Sequence, residues 1–211
     1  IQEIGKSCDV IFLAVKPQDL SSALAELSHT LSGDALLISI AAGKTTKFIE
    51  SQLKTGNSVI RVMPNTPAQI GKGVSAISPG KNTSAADLTL AKNLLSASGI
   101  VVEVSEDDQD AVTALSGSGP AYFFSFIEAM VSAGVKLGLT NEIATQLAIG
   151  TISGSAAMLK ESGLDATTLR KNVTSPNGTT AAALLVFTDK DLEKIVFDAM
   201  AAAKKRAQEL A

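Results

Sequence analysis

Cysteine, histidine and aromatic residues are scarce in this chain of 211 residues, and each scarcity excludes a class of site. Cys8 is the single cysteine and His29 the single histidine. An intrachain disulfide and a zinc site of His and Cys ligands are therefore excluded, and a Ser-His-Asp triad would have to use His29. We interpret His29 as a helix-surface residue and Cys8 as a structural one, and we predict no metal site.

An excess of one charge is also missing. Eighteen basic residues stand against 21 acidic ones, for a net charge of -3, and no basic stripe indicates nucleic-acid binding or an anionic membrane surface. No segment has the roughly 18 unbroken apolar residues that a membrane span needs, and no signal peptide stands at the start. We therefore predict a soluble, cytoplasmic protein with no nucleic-acid or membrane partner.

The first half of the chain alternates short apolar runs with segments of helical spacing. Hydrophobic residues make up 45% of the chain and aromatics only 4%, so the core consists of Ala, Leu, Ile and Val. The alternation is typical of an open, largely parallel sheet covered by helices. It predicts strands over residues 9–15, 35–40, 58–63, 74–77 and 100–104, and helices over residues 19–31, 45–53 and 84–98.

The second half contains no convincing strand, and we predict that it is all helical. Its apolar spacing predicts helices over residues 107–115, 120–137, 141–159, 166–172, 179–187 and 192–210. The boundary between the two halves falls near Ser105. The fold class is therefore α/β, a partial Rossmann-like parallel sheet followed by an all-α domain.

The beginning of the chain lacks a feature that nucleotide-binding sheets normally have. Such a sheet opens with a strand and a Gly-rich turn that presents a helix N-terminus to the pyrophosphate. No G-x-G-x-x-G precedes Asp9, and the string SGSGP at residues 116–120 follows no strand. Either the sheet does not bind a dinucleotide, or its first two strand–helix units are absent from this sequence.

Three strings mark the ends of three neighbouring strands. They are AVKPQ at residues 14–18, ISIAAG at 38–43 and RVMPNTPA at 61–68. Each alone is an ordinary strand stop followed by a turn. Because ligands bind at the carboxyl ends of parallel strands, three such ends side by side favour a ligand-binding edge.

Two further strings lie in the helical half, ALSGSGPAY at residues 114–122 and NVTSPNGTT at 172–180. In the second, Ser175, Gly178, Thr179 and Thr180 bring hydroxyl and free N–H groups to an expected helix N-terminus. Such an arrangement favours a small carboxylate, because the free N–H groups and the helix dipole both attract an anion. The alternative is that Ser175 or Thr179 only caps the next helix, and these residues alone do not separate the two.

Together these strings, in this order and spacing, closely resemble pyrroline-5-carboxylate reductases from about Cys8 to Leu210. The resemblance implies reduction of the cyclic imine 1-pyrroline-5-carboxylate to L-proline by NADPH or NADH, the last step of proline biosynthesis. Residues 1–105 would be the C-terminal part of an NAD(P)-binding Rossmann-like domain. Residues 106–211 would be a helical substrate-binding and dimerisation domain that interlocks with its partner in a homodimer, which many family members assemble into a ring of dimers.

The resemblance also implies roles for individual residues. Glu106 and Thr113 would be catalytic, with the Glu106 charge favouring the iminium near the bound substrate and Thr113 hydrogen-bonded to the ring nitrogen. The alternative for Glu106 is a surface position in an acidic cluster with Asp107 and Asp108. The substrate carboxylate would bind Ser175, Gly178, Thr179 and Thr180. The cofactor would contact Ala14, Val15, Lys16, Pro17, Ala41, Ala42, Gly43, Asn65 and Pro67, with Asn172 reaching it across the dimer and the Lys16 ammonium remaining in solvent.

Two departures from the family pattern affect what we expect. The family string SPGG reads Ser175-Pro176-Asn177-Gly178, and we expect the loop to be kept because Asn tolerates the left-handed backbone region. Without a Gly-rich phosphate turn, we expect this chain alone to have little activity. Two alternatives are a truncated member that only dimerises and a related two-domain reductase such as a β-hydroxyacid dehydrogenase. The latter would use a lysine on a long helix, but neither Lys136 nor Lys160 lies in such a motif.

Overall fold

The computed structural model describes residues 1–210, and its first half forms one five-stranded sheet. The sheet order follows the chain order, β1 to β5. Strands β1, β2 and β3 are parallel, β4 is antiparallel to β3, and β5 is parallel to β4. The strands are β1 (Val10–Leu13), β2 (Leu36–Ser39), β3 (Val59–Met63), β4 (Gly73–Pro79) and β5 (Gly99–Glu103).

The sheet is largely parallel, as predicted, with one reversal between β3 and β4. Parallel neighbours need a crossover of a dozen or more residues, usually a helix. The connection from β3 to β4 holds only a short 3₁₀ turn, Thr66–Ile70, which ends at Gly71 in the left-handed region with φ 70°. Because this connection is too short for a crossover, β4 folds back beside β3.

Two apolar layers sandwich the sheet. Helix α2 (Leu20–Leu27) buries Leu20, Leu24 and Leu27 against one face. Helix α4 (Ala85–Ser96) buries Ala91 and Leu95 against the other. The short helices α1 (Gln2–Ser7) and α3 (Thr46–Ser51) complete this half. We had not predicted α1, which is short and has Gly5 as its only buried residue.

The second half is helical, as predicted, but begins irregularly. The predicted helix over 107–115 is a 3₁₀ turn at Glu106–Asp108, helix α5 (Gln109–Val112) and a π-helical turn at Thr113–Gly117. The remaining helices are α6 (Gly119–Lys136), α7 (Asn141–Glu161), α8 (Ala166–Asn172), α9 (Thr179–Asp189) and α10 (Leu192–Glu209). No helix within residues 1–210 is both long and apolar enough to cross a membrane.

The chain divides by its contacts into two compact units. One holds residues 1–120 together with the end of the chain from Met200, and the other is Ala121–Ala199. In the second unit large apolar side chains are exposed on several helices, including Phe123, Phe124, Leu185 and Phe197. Exposed apolar surface of this extent is typical of an interface that another chain covers.

Candidate functional site

The carboxyl ends of the three parallel strands lie side by side. Leu13, Ser39 and Arg61 are register partners across β1, β2 and β3. Beyond this row, the Ile40 N–H donates to the Leu13 carbonyl at 3.2 Å. The loops that follow β1, β2 and β3 therefore leave the sheet at one edge, where ligands of such sheets bind.

The first two loops present backbone rather than large buried side chains. Ala14, Val15 and Lys16 are exposed after β1, and Pro17 then begins a 3₁₀ turn. After β2, Ala41 and Gly43 are buried and Ala42 is exposed. Gly43 has φ 73°, in the left-handed region that favours glycine. The second loop therefore turns through a backbone conformation that favours glycine at position 43.

The third loop is held by the Asn65 side chain. Its Oδ1 accepts from the Val74 N–H at 2.9 Å, and its Nδ2 donates to the Ser116 carbonyl at 3.1 Å. Asn65 thus ties the end of β3 to the start of β4 and to the SGSGP segment. Pro67 lies in the 3₁₀ turn that follows.

Glu106 lies in a network of charged and polar groups around Arg61 of β3. Its Oε1 accepts from Arg61 Nη1 at 2.8 Å, and its Oε2 accepts from Thr46 Oγ1 at 3.1 Å. Asp110 lies 3.9 Å from Arg61 Nη2. Glu106 is half-buried and paired, whereas its neighbours Asp107 and Asp108 are exposed.

Thr113 begins the π-helical turn. Its Oγ1 donates to the Gln109 carbonyl at 2.8 Å, and its carbonyl accepts from the Ser118 N–H at 2.8 Å. With its proton used, the Thr113 hydroxyl can still accept a hydrogen bond, for example from a protonated ring nitrogen. π-Helical turns are rare and occur frequently at functional sites.

Gln109 fixes this turn against the sheet. Its side chain is fully buried, and Nε2 lies 2.8 Å from Ser78 Oγ. Ser78 Oγ lies within hydrogen-bond distance of the Val104 and Ser105 carbonyls, to which it can donate its one proton. Gln109 Oε1 is the one buried side-chain polar atom without a hydrogen-bond partner within residues 1–210. The start of the helical half is thus attached to β4 through a buried amide.

The other predicted group lies in the second unit, at the start of α9. The N-cap is Gly178, and no side chain hydrogen-bonds to the first turn. Neither Ser175 nor Thr179 therefore caps α9 in this part of the structure. The first N–H groups of α9 lack intrahelical acceptors, as at every helix start, and the Thr179 and Thr180 side chains stand beside them.

The loop before α9 depends on its backbone conformation. Asn177 has φ 59°, the left-handed region that we predicted it to tolerate. A Cβ on Gly178 would lie 2.5 Å from Ser175 Oγ, so a side chain there would force the Ser175 hydroxyl to move. The Gly178 N–H donates to the Ser175 carbonyl at 3.1 Å. This turn holds Ser175 next to the free end of α9.

Asn172 is the last residue of α8 and is exposed. The helix begins at the Asp165 cap, whose carboxylate accepts from the Thr168 N–H at 2.9 Å. The backbone and side-chain hydrogen bonds from Thr168 lower the pKa of Asp165 below its ordinary value. No group of three or more His, Cys, Asp or Glu within residues 1–210 is arranged to bind a metal ion.

Comparisons with known proteins decide the family. A family model described as pyrroline-5-carboxylate reductase dimerisation matches residues 106–210, and one described as coenzyme F420-dependent NADP oxidoreductase matches residues 1–43. A pyrroline-5-carboxylate reductase of Corynebacterium melassecola is 42% identical over 211 residues, which cover 99% of this chain and 78% of the relative. This chain belongs to the pyrroline-5-carboxylate reductase family.

Other pyrroline-5-carboxylate reductases agree over the same span. The Pseudomonas aeruginosa enzyme is 44% identical over 99% of this chain and 77% of its own length. A solved structure of the Coxiella burnetii enzyme matches with TM-score 0.94 and 37% identity, covering 100% of this chain and 78% of that one. The Plasmodium falciparum enzyme, solved with NADP bound, matches with TM-score 0.91 and 35% identity, covering 99% and 79%.

The family model for dimerisation matches this reductase from Glu106 onward, whereas the contacts within the chain place the boundary between the two compact units after Pro120. The difference has a structural cause. Arg61, Ser78 and Asn65 hold residues of the 106–117 segment by side-chain contacts to Glu106, Gln109 and Ser116. The segment that opens the helical half is therefore packed with the sheet.

Sequence reasoning missed three residues in this part of the reductase, namely Arg61, Thr46 and Gln109. A signal was present for Arg61, because a charged residue inside the apolar run SVIRVM needs a buried counterion. Nothing in the sequence pointed to Thr46 or Gln109, whose partners Glu106 and Ser78 are 60 and 31 residues away along the chain.

Proposed function

We propose that this protein, as its gene encodes it, reduces 1-pyrroline-5-carboxylate to L-proline at the carboxyl edge of β1–β3, with NADPH or NADH as the hydride donor. The observation that supports this most is the uncapped start of α9 at Gly178, in a chain of the pyrroline-5-carboxylate reductase family. A carboxylate on a cyclic imine is the kind of anion that such a helix start binds.

The residues at the strand ends fit the nicotinamide half of the cofactor. Gly43 is buried in the left-handed region, so backbone rather than side chain faces the loop that it closes. When bound, the cofactor supplies the hydride. The residues that would hold it are Ala14, Val15, Lys16, Pro17, Ala41, Ala42, Gly43, Asn65 and Pro67, with Asn172 contributed across the dimer.

The substrate is held at its charged end and at its ring nitrogen. Ser175, Gly178, Thr179 and Thr180 bind the carboxylate through hydroxyl and N–H groups. Thr113 accepts a hydrogen bond from the protonated ring nitrogen, and the Glu106 charge favours the protonated form. Protonation of the imine nitrogen makes the imine carbon a better hydride acceptor. Glu106 and Thr113 therefore act on the chemical step, and the α9 residues act on binding and orientation.

The working form is a homodimer through the helical domain, which we divide from the Rossmann-like domain near Ser105. The family match over residues 106–210 and the exposed aromatics Phe123, Phe124 and Phe197 support pairing of this domain. We further propose a cytoplasmic enzyme that assembles into a ring of dimers and has no nucleic-acid or membrane partner.

Turnover tests the proposal directly. The enzyme, expressed as its gene encodes it, is mixed with NADPH and 1-pyrroline-5-carboxylate, and NADPH loss and L-proline formation are followed together. We expect equal amounts of NADPH consumed and L-proline formed. A folded, dimeric protein that forms no L-proline would refute the activity, and NADP-dependent oxidation of a 3-hydroxy acid instead would indicate the related dehydrogenase class.

A further inference from the structure

A buried cation lies inside the sheet next to the proposed site. Arg61 is in the middle of β3, and its side chain is 5% exposed. Burial of an unpaired guanidinium is very unfavourable, so a buried arginine needs close counterions. Arg61 has two, Glu106 at 2.8 Å and Asp110 at 3.9 Å.

A second group holds Glu106 from another element. Thr46 is the first residue of α3, three residues beyond Gly43, and is 6% exposed. Its Oγ1 donates to Glu106 Oε2 at 3.1 Å, while Arg61 binds Oε1. Each carboxylate oxygen is therefore held by a different donor, one on β3 and one at the start of α3.

Charge compensation alone does not require this arrangement. One carboxylate already balances Arg61, and Asp110 adds a second. The hydroxyl of Thr46 adds no charge, but its hydrogen bond to Oε2 restrains rotation of the Glu106 carboxylate about its last side-chain bond. A carboxylate has about four acceptor positions, so about two remain for another donor after Arg61 and Thr46 are bound.

We propose that Thr46 and Arg61 are positioning residues that hold the Glu106 carboxylate in the orientation in which it favours the iminium form of the substrate. This inference rests on the proposed function of Glu106. It links the loop that binds the nicotinamide, through Thr46, to the residue that acts on the imine.

Thr46→Val is the sharpest variant, because it removes the donor and keeps the branched shape. We expect kcat/KM for 1-pyrroline-5-carboxylate to fall about tenfold, as for the loss of one hydrogen bond to a charged group. The KM for NADPH should stay within twofold, a range of about 0.4 kcal/mol. Thr46→Ser keeps the hydroxyl and should restore most of kcat/KM.

A double-mutant cycle distinguishes positioning from independent effects. If Thr46 acts through Glu106, Thr46→Val causes no further loss of kcat/KM when Glu106→Ala is already present. Arg61→Lys, which keeps the charge but loses the planar fork, should likewise lower kcat/KM in the parent and leave it unchanged in Glu106→Ala. Lys92→Met is the matched control, since it breaks an exposed ion pair with Glu103 of 2.7 Å, and kinetics should not change.

The experiments distinguish failure of the positioning role from failure of the proposed function. Additive losses in the cycle, or a lower melting temperature with unchanged kcat/KM, would overturn the positioning role while the proposed function stands. A parent enzyme that forms no L-proline would instead overturn the proposed function and this inference with it. Melting curves by circular dichroism accompany every variant, so that misfolding of the Arg61 variant leaves the Thr46 cycle as the test.

Discussion

The carboxylate site that we propose at the start of α9 gives a quantitative prediction for Thr180→Val. Thr180 is the second residue of α9, is half-buried, and makes no side-chain hydrogen bond within residues 1–210. Its hydroxyl is therefore available to a ligand. Because valine keeps the shape and removes only the hydroxyl, the variant isolates one donor.

The expected magnitude follows from the contact that is lost. A hydrogen bond to a charged group contributes about 1.5–3 kcal/mol, so kcat/KM for 1-pyrroline-5-carboxylate should fall by a factor of roughly ten to a hundred. The free N–H groups and the helix dipole remain, so binding is weakened rather than abolished. Since Gly178 is the N-cap, no cap is lost, and the free energy of unfolding should change by no more than about 0.5 kcal/mol.

The assay compares two imines in steady-state kinetics with the enzyme as its gene encodes it. 1-Pyrroline lacks the carboxylate, so its kcat/KM should hardly change in Thr180→Val. Thr89→Val is a control of the same chemistry, because Thr89 is exposed on α4 and its hydroxyl only donates to the Ala85 carbonyl at 2.8 Å. Equal losses for both imines, or a lower melting temperature with a constant ratio between them, would refute the carboxylate assignment.

Three further predictions concern the loop, the fold and the assembly. Asn177→Ala should lower the free energy of unfolding by about 1–2 kcal/mol, because alanine is strained at φ 59°, and Asn177→Gly should not; urea melts check both. Burial opposes ionisation of Asp87, but hydrogen bonds involving Ser84 and Ser58 outweigh it and lower the pKa below 3.8. The stabilisation is therefore complete above pH 3.8 and is lost as pH falls through the lower folded-state value, so the difference in stability between the parent and Asp87→Asn should shrink in acid melts. Light scattering at micromolar concentration should give an even multiple of the mass of one chain, two for a single dimer and more for a ring of dimers, and a folded monomer would contradict the dimer.

The strands were predictable because their apolar runs are short and end at turn-forming residues. Asp9 and Pro17 bracket β1, and Pro64 follows β3 directly. The structure shortens the predicted β1, β2 and β3 by about three, two and one residues, whereas β4 extends beyond its predicted bounds at both ends and β5 begins one residue earlier. The direction of β4 was not predictable from its own residues, because it depends on the short connection after β3.

Residues of the candidate site were predictable only where the backbone conformation itself restricts which residue type can occupy the position. Gly178 and Asn177 occupy positions with local backbone constraints, and the string that contains them pointed to a helix start. Thr113 was assigned to an ordinary helix, yet it opens a π-helical turn. Such a turn has no simple apolar period, so the spacing of residues 107–115 could not show it.

The network around Glu106 shows why residue type and position along the chain are not enough to predict which residues form the candidate site. Glu106 precedes Asp107 and Asp108 in the sequence, and the composition of this acidic segment alone favours a solvated turn. What separates it is Arg61, 45 residues earlier, whose burial in β3 requires a carboxylate at the place where the chain returns to the sheet. A charge inside an apolar strand therefore predicts a distant partner, and among the acidic residues that follow β5, Glu106 lies close enough to be held by both Arg61 and Thr46. A solvent-exposed carboxylate would need neither contact. We therefore expect removal of either donor to lower kcat/KM more than it lowers the free energy of unfolding.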